Sequence, residues 1–315
     1  MPHVLFYRQI FVFTGGHLKV WDYFNHVLTA PGYTATVRFT RRSKWDERNP
    51  WSADRARYQE RRWRVHPDIH FLAGKDWRFI APRHHADSPV PIINLIQHVR
   101  HADPDDPRHP YLRNRAIRIC VSEEIRRGLA ATGQVSGPLI SIPAGIDLAD
   151  LPEPSASPDK ALDLLVVANK QPDLGRRIHE RLASGGRPAE LIQRKIPRRD
   201  LLAAINRARV TVFVPNPTEG FFLPALEGMA LGTTVVCPDV LGNRSFCLPG
   251  ENCLRPAYDA DSIVAAGEAA LVLSPQTADR LRQAGRETVA EHSLERERAS
   301  FLDVLYRVPE LWREV

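Results

Sequence analysis

VTVFVPNPTEGFFLPALEGMALGTTVVC, residues 210–237, sets the architecture from which the rest of the chain is read. Val210 to Val214 is short, apolar and β-branched, the composition of a strand buried on both faces of a parallel sheet. Pro215 and Pro217 end it, because proline donates no ladder hydrogen bond. Leu223 to Leu231 is rich in helix formers, and Pro224 suits a first helical turn, where a missing N–H costs nothing. Gly232 stops that helix, and Thr233 to Cys237 is a second buried-strand run. The stretch predicts a strand–loop–helix–strand unit of an α/β protein with a parallel sheet.

Two carboxylates stand inside this unit. Glu219 falls on the loop at the carboxyl end of the strand, where open α/β sheets place their ligands. Glu227 follows eight positions later, within the helix. Between them, Gly220 to Leu223 bring backbone N–H groups to a helix N-terminus, which is an anion site. A diphosphate on those amides, with hydroxyl groups donating to a carboxylate on either side, describes a nucleotide-sugar. The plain alternative is one capping glutamate and one exposed helical glutamate.

Glu219–x7–Glu227, set within EGFFLPALEGMALGTTVV (219–236), resembles the donor-site signature of retaining GT-B glycosyltransferases, especially glycosyltransferase family 4 (glycosyl transferases group 1). The resemblance implies two facing Rossmann-like α/β domains with a cleft between them. It places Glu219 toward the donor sugar and Glu227 toward the ribose, with the amides of Gly220, Phe221 and Phe222 along the sugar and phosphates. The implied reaction moves a sugar from a nucleoside-diphosphate sugar to a hydroxyl with retained configuration. No metal and no cofactor beyond the donor substrate is expected. Positioning, helix-terminal amides and nearby cations would stabilise the leaving diphosphate. No carboxylate nucleophile is evident, so departure and attack on the same face are expected.

The chain has 315 residues, enough for two domains of ordinary size. With 43% hydrophobic and 25% charged residues it has the composition of a soluble globular protein. No segment approaches the roughly 18 consecutive apolar residues needed to span a bilayer. The opening Met1 to Phe6 reads as a first buried strand, not as a signal peptide. The four cysteines show no paired spacing, which fits reduced thiols in a cytoplasmic protein. The net charge of +6 is uneven: residues 1–150 hold 22 Lys and Arg against 15 Asp and Glu, and residues 151–315 hold 21 against 22. Whatever the positive field attracts is therefore met by the first half.

Residues 3–13 predict a strand that runs into Gly15 and Gly16, where two glycines allow a tight strand-to-helix turn and close approach of a ligand. It is neither a Walker loop nor a dinucleotide fingerprint; beside the later motif it is similar to the glycine loop that opens the first domain of GT-B enzymes. The segment 41–64 carries nine Arg or Lys, four Asp or Glu, and Trp45, Trp51, Tyr58 and Trp63 interleaved. It reads either as a solvated helix and loop anchored by its aromatics or as a patch for an acceptor or an anionic membrane surface. Nucleic acid is a third reading that no motif supports. Short strands are expected around Phe71–Leu72 and Phe79–Ile80, and Pro91 to Gln97 is a buried strand ending at His98. A histidine there suits proton exchange or donor hydrogen bonding, and His98 joins Glu219 as a candidate catalytic residue; a satisfied loop histidine is the plain alternative.

Ile140 to Asp147 is similar to the family's segment closing the first domain, with Ala144 in the usual place of an asparagine. The expected organisation is an acceptor-side domain over 1–151, a linker over 152–160, a nucleotide-sugar domain over 161–293 and a helix, 294–315, crossing back. After the strand Leu162 to Ala168 the family carries an arginine and a lysine that clamp the diphosphate. Here Asn169 and Leu174 occupy those places, and Lys170, Arg176 or Arg177 stands one residue away or more. Lys170 and Arg176 are the donor-binding candidates. The expected acceptor is a glycan or lipid-linked glycan, the chemistry of polysaccharide biosynthesis, at the inner face of a membrane. Two rivals stand beside this: a catalytically idle GT-B module that binds a sugar nucleotide or a partner, and a glycosyltransferase acting on a nucleic-acid base or a protein.

Overall fold

The computed structural model describes residues 1–47, 49–62, 65–80, 88–155, 160–184 and 186–314. Trp63 and Arg64 of the basic segment, His84, His85, and residues 156–159 of the expected linker lie outside the described residues. The chain divides into two compact units, one built from Met1–Ala144 with Glu297–Val315 and the other from Gly145–Arg296.

The first unit is a six-stranded sheet of β1 (His3–Arg8), β2 (Thr34–Phe39), β3 (Ile69–Ala73), β4 (Ile92–Ile96), β5 (Ile117–Cys120) and β6 (Leu139–Ser141), ordered β2-β1-β3-β4-β5-β6. Every pairing is parallel, for example Val4 with Ala35 and with Ile69, and Phe71 with Ile93. Ile92 to Ile96 is buried throughout, as a parallel strand covered on both faces requires. Helix α1 (Gly15–Thr29) turns Val20, Tyr23, Phe24 and Val27 inward. There Phe6 stacks on Phe71 at 4.4 Å between centroids, and Tyr23 meets Phe301 edge-on at 4.8 Å.

Phe301 belongs to the helix Leu294–Tyr306, whose part from Glu297 onward is tied to α1 by buried charge. Lys19 Nζ lies 2.8 Å from Glu297 Oε2 and 2.7 Å from Asp22 Oδ2, while His26 Nε2 lies 3.1 Å from Glu297 Oε1. Burial pushes the Glu297 carboxyl up, but Lys19 and His26 outweigh it and hold the group below its ordinary value.

Two local expectations change here, and for a third segment the structure chooses between two readings. The first strand stops at Arg8 instead of continuing to residue 13, which leaves Phe11 at 49% and Val12 at 52% exposure on the following loop. No strand forms at Phe79: Asp76–Phe79 is a 3-10 turn, pinned because the Asp76 carboxylate accepts the Ala73 N–H at 3.0 Å. For 41–64 the described aromatics follow the first of the two readings, anchoring the segment to the core. Trp51 is fully buried against Trp21 at 4.9 Å, Tyr58 lies edge-on to Phe24, and Trp45 packs on Phe39 beneath the Arg55 guanidinium at 3.9 Å. Removing an indole from water is favourable by a few kcal/mol, so these rings turn inward while Arg41, Arg42, Lys44, Arg57, Arg61 and Arg62 stay exposed.

The second unit is a four-stranded parallel sheet ordered β10-β9-β7-β8, from β7 (Leu162–Val167), β8 (Ala189–Ile192), β9 (Ala208–Phe213) and β10 (Thr234–Val236). Helices Pro172–Leu182, Arg198–Arg207, Leu223–Ala230, Ala260–Leu271 and Pro275–Glu291 belong to it. The unit begins earlier than residue 161. Ile146 exchanges backbone hydrogen bonds with His292 and Leu294, each 2.9 Å, and lies in the core of this unit. The proline-rich stretch after it is held down: Asn206 accepts the Ser155 N–H and donates to the Glu153 carbonyl, both at 2.8 Å. Lys160 Nζ then reaches the Asn206 and Leu231 carbonyls at 2.7 and 3.0 Å, satisfying the C-terminal ends of two helices.

All four cysteines are free and buried, Cys120 in the first unit and Cys237, Cys247 and Cys253 in the second. Burial drives the Cys120 thiol up to about 12 and Cys247 well above its usual range. Among the described residues no helix is long and apolar enough to cross a membrane.

Candidate functional site

Because β8, β7 and β9 are neighbouring parallel strands, the loops leaving their carboxyl ends lie side by side. The β7 loop carries Lys170 and Gln171 into helix Pro172–Leu182. Gly175 allows that helix to lie directly on the end of β7, since a Cβ there would stand 1.9 Å from Ala168 Cβ. The β9 loop carries Asn216 and Glu219, and the β8 loop ends at Arg198.

Glu219 is the meeting point of the first two loops. Its Oε1 receives Lys170 Nζ at 2.5 Å and Asn216 Nδ2 at 3.2 Å, and Gln171 Nε2 donates to Asn216 Oδ1 at 3.0 Å. Lys170 Nζ also stands 5.2 Å from the Phe222 ring centroid, a cation–π distance. Lys170, Glu219 and the Phe222 ring thus lie together, with Asn216 and Gln171 beside them. Arg176 is not part of it: its partner is Asp173 at 2.9 Å, one turn back on an exposed helix face.

The cradle of free amides is smaller than the sequence suggests. The Phe222 N–H donates to the Gly242 carbonyl at 2.9 Å, and the Phe221 amide packs against Gly242, where a Cβ would stand 2.8 Å from that nitrogen and 2.7 Å from the Glu219 carbonyl oxygen. Only glycine fits at 242. Phe221 packs against Phe246 and His292 at 5.0 and 5.7 Å, and Phe222 is buried. These two residues brace the loop from behind, and the Phe222 amide is not available to a ligand. Gly220 is buried between them and Glu219.

Glu227 is buried within helix Leu223–Ala230, and Arg198 Nη2 and Nε donate to its Oε1 at 2.8 and 3.2 Å. Arg198 Nη1 donates to Asp150 Oδ2 at 2.5 Å. Burial pushes the Glu227 carboxyl above its ordinary value, Arg198 opposes that, and Asp150 adds to it. Arg198 was not singled out by sequence, although a signal existed. A cation in the first turn of a helix faces the positive end of the macrodipole, so its presence there calls for a nearby anion.

The first unit gathers its own set at the carboxyl edge of its sheet. Gly15 and Gly16 open α1, and the Gly16 carbonyl accepts from Gln97 Nε2 at 3.1 Å, beside His98. His98 Nδ1 accepts from the Arg100 N–H at 3.1 Å and Nε at 3.3 Å, which leaves the imidazole proton on Nε2. Arg8, at the end of β1, reaches Asp76 Oδ2 at 2.9 Å and His17 Nδ1 at 3.0 Å. Burial raises Asp76 to about 6 against the pull of Arg8 and the Ala73 N–H. Among the described residues, no three His, Cys, Asp or Glu side chains converge as a metal-holding group.

Residues 148–272 match the family model described as Glycosyl transferases group 1. No curated protein matches the chain in sequence. Among solved structures, a sucrose-phosphate synthase from Thermosynechococcus elongatus superposes with a TM-score of 0.70 at 18% identity, covering 98% of each chain. A glycosyltransferase from Rickettsia africae gives 0.69 at 11% identity over 98% of each chain. Anabaena HepE in complex with UDP and glucose gives 0.72 at 10% identity, over 97% of this chain and 100% of that one. Likeness at these identities shows the fold, which is the GT-B fold of two Rossmann-like α/β units.

Proposed function

We propose that this protein is a retaining, metal-independent glycosyltransferase, because residues 148–272 match the family model described as Glycosyl transferases group 1. It would move a sugar from a nucleoside-diphosphate sugar to a hydroxyl of a glycan or lipid-linked glycan. The observation that carries this reading is the pair of family-segment carboxylates at one sheet edge, each engaged by a cation: Glu219 by Lys170 and Glu227 by Arg198.

The exchange is chemically direct. In the absence of donor, Lys170 and Glu219 are partners. A donor offers sugar hydroxyls to the carboxylate and phosphate oxygens to the ammonium, so charge-assisted contacts are replaced instead of lost. Lys170 then stands in for the family cations missing at Asn169 and Leu174, and bears on the leaving diphosphate. Glu227 accepts from the ribose hydroxyls. His98 and the Gly15–Gly16 turn are kept as candidate residues of the first unit. Anabaena HepE was solved with UDP and glucose, so UDP heads the donors to test.

The acceptor side is proposed to meet an anionic membrane surface. Arg41, Arg42, Lys44, Lys75 and Arg78 are exposed on the loops after β2 and β3, around the exposed Phe11 and Val12 after β1. The Lys44 N–H donates to the Ile10 carbonyl at 2.8 Å and the Ile10 N–H to the Ser43 side-chain Oγ at 3.2 Å, which joins two of these loops. This narrows the basic segment 41–64 to its first residues, because its described aromatics face inward.

Donor hydrolysis or transfer tests the main reading. Turnover with one of UDP-, GDP-, ADP- or dTDP-sugars, abolished in Glu219→Ala, supports it. Binding with no turnover for any donor supports an idle sugar-nucleotide module. Flotation with phosphatidylglycerol vesicles, lost as salt rises, tests the membrane face, and its absence removes that part alone.

A further inference from the structure

We infer that Arg198 is a positioning residue for nucleoside recognition, fixing Glu227 as a charged acceptor with one oxygen reserved for the ribose diol. The inference rests on the donor reading above and goes beyond it, because the family resemblance assigns no role to this position.

Three observations carry it. First, Arg198 sits where its own helix disfavours a cation, directly after Pro197, so its placement answers to something outside that helix. Second, both N–H groups aimed at Glu227 converge on a single oxygen, Oε1, at 2.8 and 3.2 Å. Among the described residues, Oε2 accepts no hydrogen bond. A carboxylate used only for structure would spread its donors over both oxygens; here one is held and the other left over. Third, the Glu227 side chain is 8% exposed, and the charged groups facing it are Arg198 on helix Arg198–Arg207 and Asp150 on the turn Leu148–Asp150. Burial and the like charge of Asp150 both favour the neutral acid. Arg198 is the one group opposing them, and it is tied to Asp150 at 2.5 Å by its remaining nitrogen.

The protonation state matters for recognition. An ionised carboxylate accepts two hydroxyl hydrogens, whereas a protonated one has a hydrogen of its own to place and accepts fewer. Loss of the guanidinium then converts a diol acceptor into a group that titrates closer to neutrality, and the effect grows as pH falls.

Calorimetric titration of the full chain with UDP and 2′-deoxy-UDP at pH 8 and pH 6 tests this, with Arg198→Gln, Glu227→Gln and the double variant. Wild type is expected to prefer UDP by about tenfold at both pH values. R198Q should bind UDP about tenfold more weakly at pH 8 and weaker still at pH 6, with the preference over 2′-deoxy-UDP reduced below threefold. In the E227Q background R198Q should add less than twofold, because an arginine acting through Glu227 has nothing left to hold. Should R198Q not fold, Arg198→Lys enters the same cycle. R198Q binding like wild type at both pH values, or losses that multiply in the double variant, overturns the assignment. If wild type binds neither UDP, GDP nor ADP, the donor reading fails and takes this inference with it. If wild type binds and the cycle is additive, only the role of Arg198 fails.

Discussion

Each unit holds a lysine–glutamate pair, and the two pairs differ in how completely they are closed. Lys19 and Glu297 in the first unit have side chains 4% and 0% exposed, and His26 and Asp22 complete the cluster. Lys170 and Glu219 in the second are 35% and 14% exposed and sit on loops at strand ends. A closed cluster has exchanged all its water for fixed partners, so it holds an α1-to-C-terminal-helix contact and has nothing to offer a ligand. An open pair keeps hydration and unused valence, contributes little to stability, and trades partners when a better set arrives.

The contrast is broken or sharpened by four measurements. Lys19→Met removes the ammonium shared by buried Asp22 and Glu297, and should cost about 3–5 kcal/mol in denaturant unfolding with no direct effect on nucleotide binding. A loss under 1 kcal/mol would show the first cluster to be as loose as the second. Glu219→Ala reverses the pattern: transfer should fall about 10²-fold or more while the thermal midpoint stays within a few degrees. A collapse of stability there would mean that Glu219 is structural.

The acid limb of stability should belong to the first unit. Burial, helped by Arg108, lowers His101 to about 3, so it stays neutral in the fold while the unfolded chain binds its proton near pH 6.5. The unfolded state then holds more protons between those values. Stability falls as pH drops through that window by about 1.4 kcal/mol per pH unit from this group. His101→Gln should flatten the slope measured by urea unfolding at pH 4 to 6.5, and an unchanged slope removes His101 as its source. The smallest effect is expected for Lys170→Gln: about tenfold weaker UDP binding and under about 1 kcal/mol of stability. An equal drop in both would place Lys170 with the closed kind.

The parallel strands and the Glu219–Glu227 spacing were legible because both are local. Val210 to Val214 reads as a buried strand from its own composition, and the strand found is Ala208–Phe213; the two carboxylates lie on one loop and the helix that follows. What was not legible depends on partners distant in sequence. The Phe222 amide is used by Gly242, Arg198 reaches Glu227 across 29 positions, and Arg8 reaches Asp76 across 68. The basic segment left two readings open for a related reason. Interleaved Trp and Arg suggest an interface, but Trp51 had a pocket among Trp21, Phe24 and Phe39 that no local pattern announces. The proline-rich stretch read as a linker is likewise pinned by Asn206, a residue some fifty positions away.

The sulfur inventory makes the two units separately observable. One thiol, Cys120, reports on the first, and three, Cys237, Cys247 and Cys253, report on the second. All are inaccessible to an alkylating reagent until their unit opens, so a time course of added mass counts openings: a step of one tag marks the first unit and a step of three the second. Run with and without UDP, such a clock would show which half of the molecule the nucleotide steadies.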